Sequence, residues 1–288
     1  MRFVIFSDTK GKDNGINKKV LTKLLTETAK LNPEPDLIVL GGDNVAGSED
    51  TSILTAQLQY LKNLIDSHCP GIPLIPVIGN HEVNNNPMDS RYEVIFNKSY
   101  GDSLPSTALE GYNKTVFYID YGDTRYIVLN AFHFGEIQKI TQKQLLWFLE
   151  AASVDIRNKL VFVHSPAFPT GAHFGHCLDL YPECRDTFWR IAEDCNIDII
   201  FSGHEHNYST RKIGYTRQVY QVISGGGGEK LKNKLKSKKG LMTGPIAKYH
   251  FVIVDITSNG MVVTAVNCDG KAIDKLTIDK CTNCGNSH

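Results

Sequence analysis

Three short, wholly apolar runs alternate with two stretches of helical period near the start of the chain. The runs are FVIF in Arg2–Ser7, LIVL in Asp36–Leu40 and LIPVI in Leu74–Ile78. Between them, Val20, Leu21, Leu24, Leu25 and Leu31 fall on one side of a helix expected over Lys18–Leu31, which Asn32-Pro33 stops. Leu54, Leu58, Leu61 and Ile65 repeat that spacing in a helix expected from about Thr51 to Ser67. A strand that is apolar on both faces must be covered on both. This β-α-β-α-β order therefore predicts a parallel sheet between helices.

The remainder of the chain adds hairpins to this unit. Val116–Asp120 and Arg125–Asn130 flank Tyr121-Gly122-Asp123-Thr124. Tyr249–Ile256 and Met261–Val266 flank Ser258-Asn259-Gly260. Thr141-Gln142-Lys143-Gln144 has the form of a capping box opening a helix through Leu149. Leu160–Val163, Ile197–Phe201 and Val219–Ile223 are further strands, and Cys184–Asn196 a further helix. Hairpins in pairs after βα units call for a second sheet packed on the first. Residues 84–110 are polar and irregular, with one short helix expected near Arg91–Phe96. Residues 229–240 hold six lysines without a core-forming period and are expected to be a solvated loop. No linker or repeat divides the chain, so one domain over 1–288 is expected, with 280–288 as a flexible tail.

Charge narrows the partners. Lys+Arg and Asp+Glu are both 31, a balance that speaks against non-specific binding to nucleic acid or membrane surfaces. No apolar run approaches the roughly 20 residues that span a bilayer. No leader is visible before FVIF, so a cytoplasmic location is expected. The seven cysteines are an odd number spread over the chain. They suggest reduced thiols, with Cys281 and Cys284 forming a CxxC in a solvated tail. Nothing in the sequence sets an oligomeric state.

The polar residues just past the apolar runs form a set: Asp8; Asp43 and Asn44; Asn80 and His81; His164; His204 and His206. In an α/β sheet such positions gather on one rim, where ligands bind. Each residue alone is an ordinary turn former or surface side chain. Together, five strand ends carrying oxygen and nitrogen donors suit a divalent ion such as Mn, Fe, Zn or Ni.

The ordered blocks Asp8-Thr9-Lys10, Gly42-Asp43-Asn44, Gly79-Asn80-His81-Glu82, Val163-His164-Ser165-Pro166 and Gly203-His204-Glu205-His206 resemble the calcineurin-like metallophosphoesterase superfamily. The resemblance implies a four-layer α/β/β/α sandwich of two mixed β-sheets flanked by helices, with a two-metal centre. It also implies hydrolysis of a small phosphate mono- or diester, nucleic acid being excluded by the charge balance. Asp43 would bridge two ions. Asn80, His164 and His204 would complete one shell, while Asp8 and His206 would hold the other ion. Two such ions about 3.5–4 Å apart acidify a water for attack and clamp the phosphate. His81 would protonate the leaving group, since a histidine side chain titrates near 6.5. Phe201–Tyr208 (FSGHEHNY) also resembles the purple acid phosphatase branch. Val45-Ala46-Gly47 stand where that branch has its tyrosine ligand, so tyrosinate–iron chemistry is not expected.

One block departs from the superfamily pattern. Most members have D-x-H where this chain has Asp8-Thr9-Lys10. Lysine is a cation at neutral pH and a poor ligand. The Asp8/His206 site is therefore expected to be weak, with Lys10 pairing with Asp8, reaching a substrate phosphate oxygen or turning outward. The alternative to an enzyme is a relative that keeps the fold and binds or regulates with one well-held ion. No role for Glu82 follows from the sequence, and His133, His173 and His176 are expected to be plain loop residues, the alternative being contact with substrate from a lid.

Overall fold

The computed structural model describes residues 1–100 and 107–280. The CxxC at Cys281 and Cys284, and all of the expected tail except Lys280, lie outside these. In chain order the elements are β1 (Arg2–Phe6), β2 (Lys10–Asp13), α1 (Lys18–Thr28), β3 (Leu37–Leu40), α2 (Thr51–His68), β4 (Leu74–Pro76) and α3 (Arg91–Tyr100). Then follow β5 (Phe117–Tyr121), β6 (Thr124–Val128), α4 (Gln142–Ala152), β7 (Asn158–Phe162), α5 (Pro182–Asp194), β8 (Ile199–Ser202), β9 (Tyr208–Ile213) and β10 (Val219–Ser224). The chain closes with β11 (Leu241–Ile246), β12 (His250–Thr257), β13 (Gly260–Asn267) and β14 (Ala272–Asp279).

Two mixed sheets result. The first has the order β14-β13-β12-β1-β3-β4, with β1, β3 and β4 parallel and β12 antiparallel to β1. The second has the order β11-β9-β10-β8-β7-β6-β5, parallel from β10 through β8 and β7 to β6. The fully buried Phe3 of β1 reaches across to the second sheet. It meets Tyr126, Phe162 and Phe201 edge-on, with ring centroids 5.3, 6.2 and 6.2 Å away. Those three rings stack along their own sheet. Burial of such side chains supplies roughly 25 cal/mol per Å² of apolar area and holds the two sheets face to face. Helices α1 to α3 pack as one group and α4 with α5 as another, giving the α/β/β/α sandwich.

Four strands were not foreseen: β2, β9, β11 and β14. The helix after residue 90 runs to Tyr100, longer than expected. The capping box at α4 is only half formed. Thr141 caps the helix by accepting from the Gln144 amide at 3.1 Å. The Gln144 side chain instead brackets the backbone of Asn130, accepting from its N–H (3.0 Å) and donating to its C=O (2.7 Å).

The parallel strands of both sheets end on the same rim. Their loops are sewn together there: Asp8 N–H donates to Gly42 O, Gly203 N–H to His164 O and Gly227 N–H to Ser7 O, at 2.9–3.0 Å. The Gly227–Ser7 bond crosses between the sheets, as does one from His204 N–H to Asp8 Oδ2 at 2.9 Å.

Candidate metal centre

Apolar strands deliver the polar residues to the rim, and tight loops turn the side chains inward. Asp8, Asp43, His204 and His206 all adopt left-handed backbone conformations, with φ of 58°, 51°, 68° and 52°. Asp tolerates this region; a histidine there is uncommon and is held by its surroundings. Neighbouring glycines permit the close approach. A Cβ on Gly79 would lie 2.4 Å from Asp43 Oδ1, and one on Gly203 2.5 Å from Asp8 Oδ2.

Two groups of ligand-type side chains form. One comprises Asp43, His164 and His204, the other Asp8, Asp43 and His206; within each, ligand atoms lie within 4.8 Å of one another. All are buried, and Asn80 stands beside them, 9% exposed. The outer nitrogens of the histidines are committed to backbone carbonyls. His164 Nδ1 lies 2.9 Å from Gly41 O, His204 Nε2 3.0 Å from His176 O and His206 Nδ1 3.2 Å from Lys230 O. Each ring thus keeps its other nitrogen facing inward.

The first group fits a divalent cation. His164 Nε2, His204 Nδ1 and Asn80 Oδ1 are buried and make no hydrogen bond. Buried polar atoms are almost always paired, so orphaned ring nitrogens of His164 and His204 beside Asp43 suit a cation there; the orphaned Asn80 Oδ1 belongs to the loop whose next residue, His81, donates its amide to Asp43. Burial opposes charge on His164, but Asp43 and Asp8 outweigh it and push its pKa up to about 9, so its inward nitrogen becomes a free lone pair only when a cation displaces that proton. Burial likewise opposes ionisation of Asp43, yet His164 and Lys10 hold it well below the usual carboxylate range. For His204, burial and the adjacent His164 keep the ring neutral, as a ligand must be.

The second group is different, because Lys10 enters it. Lys10 is 5% exposed, so it does not turn outward. Its ammonium lies 2.5 Å from Asp43 Oδ2, 3.5 Å from His206 Nε2 and 4.0 Å from Asp8 Oδ1. Its main partner is Asp43; Asp8, one of the alternatives the sequence offered, lies farther away. Burial acts against the Lys10 charge, and Asp43 and Asp8 more than compensate, raising its pKa.

His81 sits at the edge of the cluster. Its backbone N–H donates to Asp43 Oδ1 at 2.9 Å, and its Nδ1 faces Ala46 O at 2.8 Å. Nε2 lies 3.9 Å from Asp43 Oδ2. His81 and Lys10 both line an open cleft of about 620 Å³, together with Lys12, Asn17, Glu229, Lys230 and Tyr249. That cleft opens on the side of the centre where Lys10 and His81 stand.

Two residues escaped the sequence reading. Glu82 is fully buried and accepts from four backbone amides: Gly79 (2.7 Å), Asn44 (2.7 Å), Asp43 (2.9 Å) and Val45 (3.2 Å). It ties the loop after β3 to the loop after β4. Glu205 does the same across the second sheet, accepting from Thr170 Oγ1 and from the amides of Gly171, Ala172 and His173. That brings His173 over the centre, its ring 4.6 Å from His204 and 5.0 Å from His206. A glutamate just after a ligand-type histidine, in both blocks, was the available signal. The lysine-rich stretch is also tied down, with Lys232 N–H donating to His206 O and Lys236 N–H to Thr170 O. Lys232 Nζ lies 2.8 Å from His173 Nε2. His133 is away from the centre, pairing with Glu93 at 3.1 Å and stacking on Tyr112.

Comparison with known proteins gives a consistent picture. The profile of the family described as calcineurin-like phosphoesterase matches residues 1–208. The human serine/threonine-protein phosphatase CPPED1 is 27% identical over 234 residues, covering 73% of this chain and 66% of that protein. Its rat counterpart is 28% identical over 228 residues, with the same coverage. The chain thus spans about two thirds of the length of these relatives. Among solved structures, purple acid phosphatase PPD1 of yellow lupin superposes with a TM-score of 0.75 at 17% identity, over 97% of this chain and 53% of that one. GAP50, described as the anchor in the inner membrane complex of Plasmodium, superposes with a TM-score of 0.70 at 14% identity, over 97% and 88%. Both likenesses concern the fold.

Proposed function

The chain belongs to the calcineurin-like phosphoesterase family, and from that premise we propose that it hydrolyses phosphate esters at the rim centre, using a divalent cation held by Asp43, Asn80, His164 and His204. The relatives named as phosphatases turn the reading toward monoesters. The observation that supports it most is the grouping of the unpaired buried nitrogens of His164 and His204 with Asp43 beside an open cleft. A bound divalent cation supplies charge that offsets the phosphoryl oxygens and makes a water easier to deprotonate.

The chain's own residues do the rest. Asp43 is oriented by the His81 amide on one oxygen and by Lys10 on the other. Lys10, Lys12 and Lys230 place positive charge along the cleft for the phosphate to meet. His81, with Nδ1 anchored on Ala46 O, presents Nε2 to the cleft and delivers a proton to the departing oxygen. His173 covers His204 and His206 and limits water on that side.

A leaving-group series tests the acid. His81→Ala is expected to slow phenyl phosphate by roughly 10²–10⁴-fold, the usual contribution of general acid catalysis. It should slow a dinitrophenyl ester far less. Equal losses across the series would remove His81 from the acid role. A second reading, a binding or regulatory relative without turnover, is favoured by the entry of Lys10 into the second group. Phosphate binding without hydrolysis of any activated ester, with Mn supplied, would support it.

A further inference from the structure

The second group of ligand-type residues is complete in composition, but an ammonium already stands inside it. Lys10 Nζ lies among all three members, 2.5 Å from Asp43 Oδ2, 3.5 Å from His206 Nε2 and 4.0 Å from Asp8 Oδ1. A cation held by those same three atoms would occupy the same space. We propose that Lys10 is a built-in cation that takes the place of a second metal ion, so that the centre works with one exchangeable divalent ion and one tethered charge.

The lysine is not a surface side chain that swings in. Its backbone N–H donates to Asp43 O at 3.2 Å. The preceding residue is fixed on both sides, Thr9 Oγ1 donating to Asn44 O and Asn17 N–H to Thr9 O. His206 is oriented to receive it: with Nδ1 against Lys230 O, its Nε2 lone pair faces the ammonium. Asp43 keeps the bridging geometry of a two-cation site. Oδ1 lies 3.4 Å from His164 Nε2, on the side of the first group, and Oδ2 belongs to Lys10.

Charge points the same way. Asp8 and Asp43 bring two negative charges, and Lys10 returns one. A single divalent ion leaves the cluster with one net positive charge, suited to a phosphate anion. A second would leave three positive charges beside an immobile ammonium in a buried site, where like charges repel strongly. An ammonium also has three N–H donors. Asp43 and His206 take two, which leaves one for a phosphoryl oxygen in the cleft that Lys10 lines.

This inference rests on the metal-centre reading above, and counting ions separates the two. The chain is loaded with excess Mn, freed of loosely held ions by gel filtration and counted by elemental mass spectrometry. One Mn per chain is expected, with the six-line paramagnetic resonance spectrum of an isolated ion. Lys10→His is expected to retain two and to show a spin-coupled pair. Asp8→Asn should leave the count at one in the natural chain and lower it from two to one in the Lys10→His background. Two equally retained ions in the natural chain would overturn the role of Lys10 alone, as would a Lys10→His variant that folds and stays at one. No retained ion would overturn the centre itself. The natural-chain count needs no variant, so a misfolded substitution does not leave the question open.

Discussion

Glu82 and His250 show how much at the residue scale depends on groups that never meet a ligand. Glu82 carries four backbone hydrogen bonds that hold Asp43 and Asn44 in place. Burial and the Asp43 charge raise its pKa, and the backbone donors work against them. Glu82→Gln puts an amide NH₂ among N–H groups and leaves donors unpaired, at about 1–3 kcal/mol each. It is expected to lower thermal stability and to weaken Mn binding roughly 10–100-fold, as loss of a ligand's support does. Calorimetric titration checks this; unchanged affinity would mean the loop holds its shape unaided. His250 is fully buried, its Nδ1 2.8 Å from Lys248 O, and burial pushes its pKa down from 6.5 to about 4. The unfolded chain therefore binds a proton that the folded chain refuses. The stability that the neutral ring contributes is present above about pH 6.5 and lost as pH falls toward 4, on the order of 3 kcal/mol in all. Urea unfolding at pH 7 and pH 4.5 should show a smaller loss for His250→Asn than for the natural chain. Equal losses would show that His250 does not titrate on unfolding.

The candidate ligands that gather in two groups were legible in the sequence because each follows an apolar run. Lys10 was legible as an anomaly, but its destination was not. Only the fold brings Asp43, from a different strand, closer to its ammonium than Asp8 two residues away. Glu82 and Glu205 were illegible because bonds to backbone amides leave no trace in residue type beyond the carboxylate itself. For His173 the sequence left a plain loop and a lid both open, and only the fold shows that Glu205 steers its loop over the centre.

At the scale of elements, continuous apolar runs identified the central strands and helical spacing identified α1, α2 and α5. The strands that escaped have physical causes in common. β2 (KGKD) is charged, and its bridges run only to Ile16 within its own turn. β9 (YSTRKI) buries Ser209, Thr210 and Arg211, so it lacks an apolar signature; Arg211 donates through Nη1 and Nη2 to the carbonyls of Pro169, Ser237 and Lys239. β11 (LMTGPI) contains Gly and Pro and is a sheet edge with register shifts, where such residues are tolerated. β14 forms the opposite kind of edge, largely polar and paired on one side. The half-formed capping box makes a prediction at this scale. Thr141→Ala removes one cap and is expected to cost about 1 kcal/mol. Gln144→Ala strands both the N–H and the C=O of buried Asn130 and should cost more, about 2–4 kcal/mol from two unpaired groups. Denaturant midpoints decide the order; a larger loss for Thr141→Ala would restore the ordinary capping box.

For the whole molecule, the two sheets matter because neither carries the centre alone. Asp8, Asp43 and Asn80 come from the first sheet, while His164, His204 and His206 come from the second. The aromatic contacts between the sheets and the His204–Asp8 bond at the rim fix how these halves meet. We propose that the whole chain is one domain on this basis, with the centre at the seam. A charge-balanced protein with an open cleft and lysines on its wall is suited to a small anionic ester. The central claim is that a cation at Asp43, Asn80, His164 and His204 makes the chain a phosphoesterase. It is tested most directly by 4-nitrophenyl phosphate hydrolysis by chelator-treated protein, before and after Mn is returned. Turnover should be absent in the chelated chain, restored by Mn, and not restored in Asp43→Asn. Hydrolysis indifferent to chelation, or equal rates in the natural chain and Asp43→Asn, would contradict it.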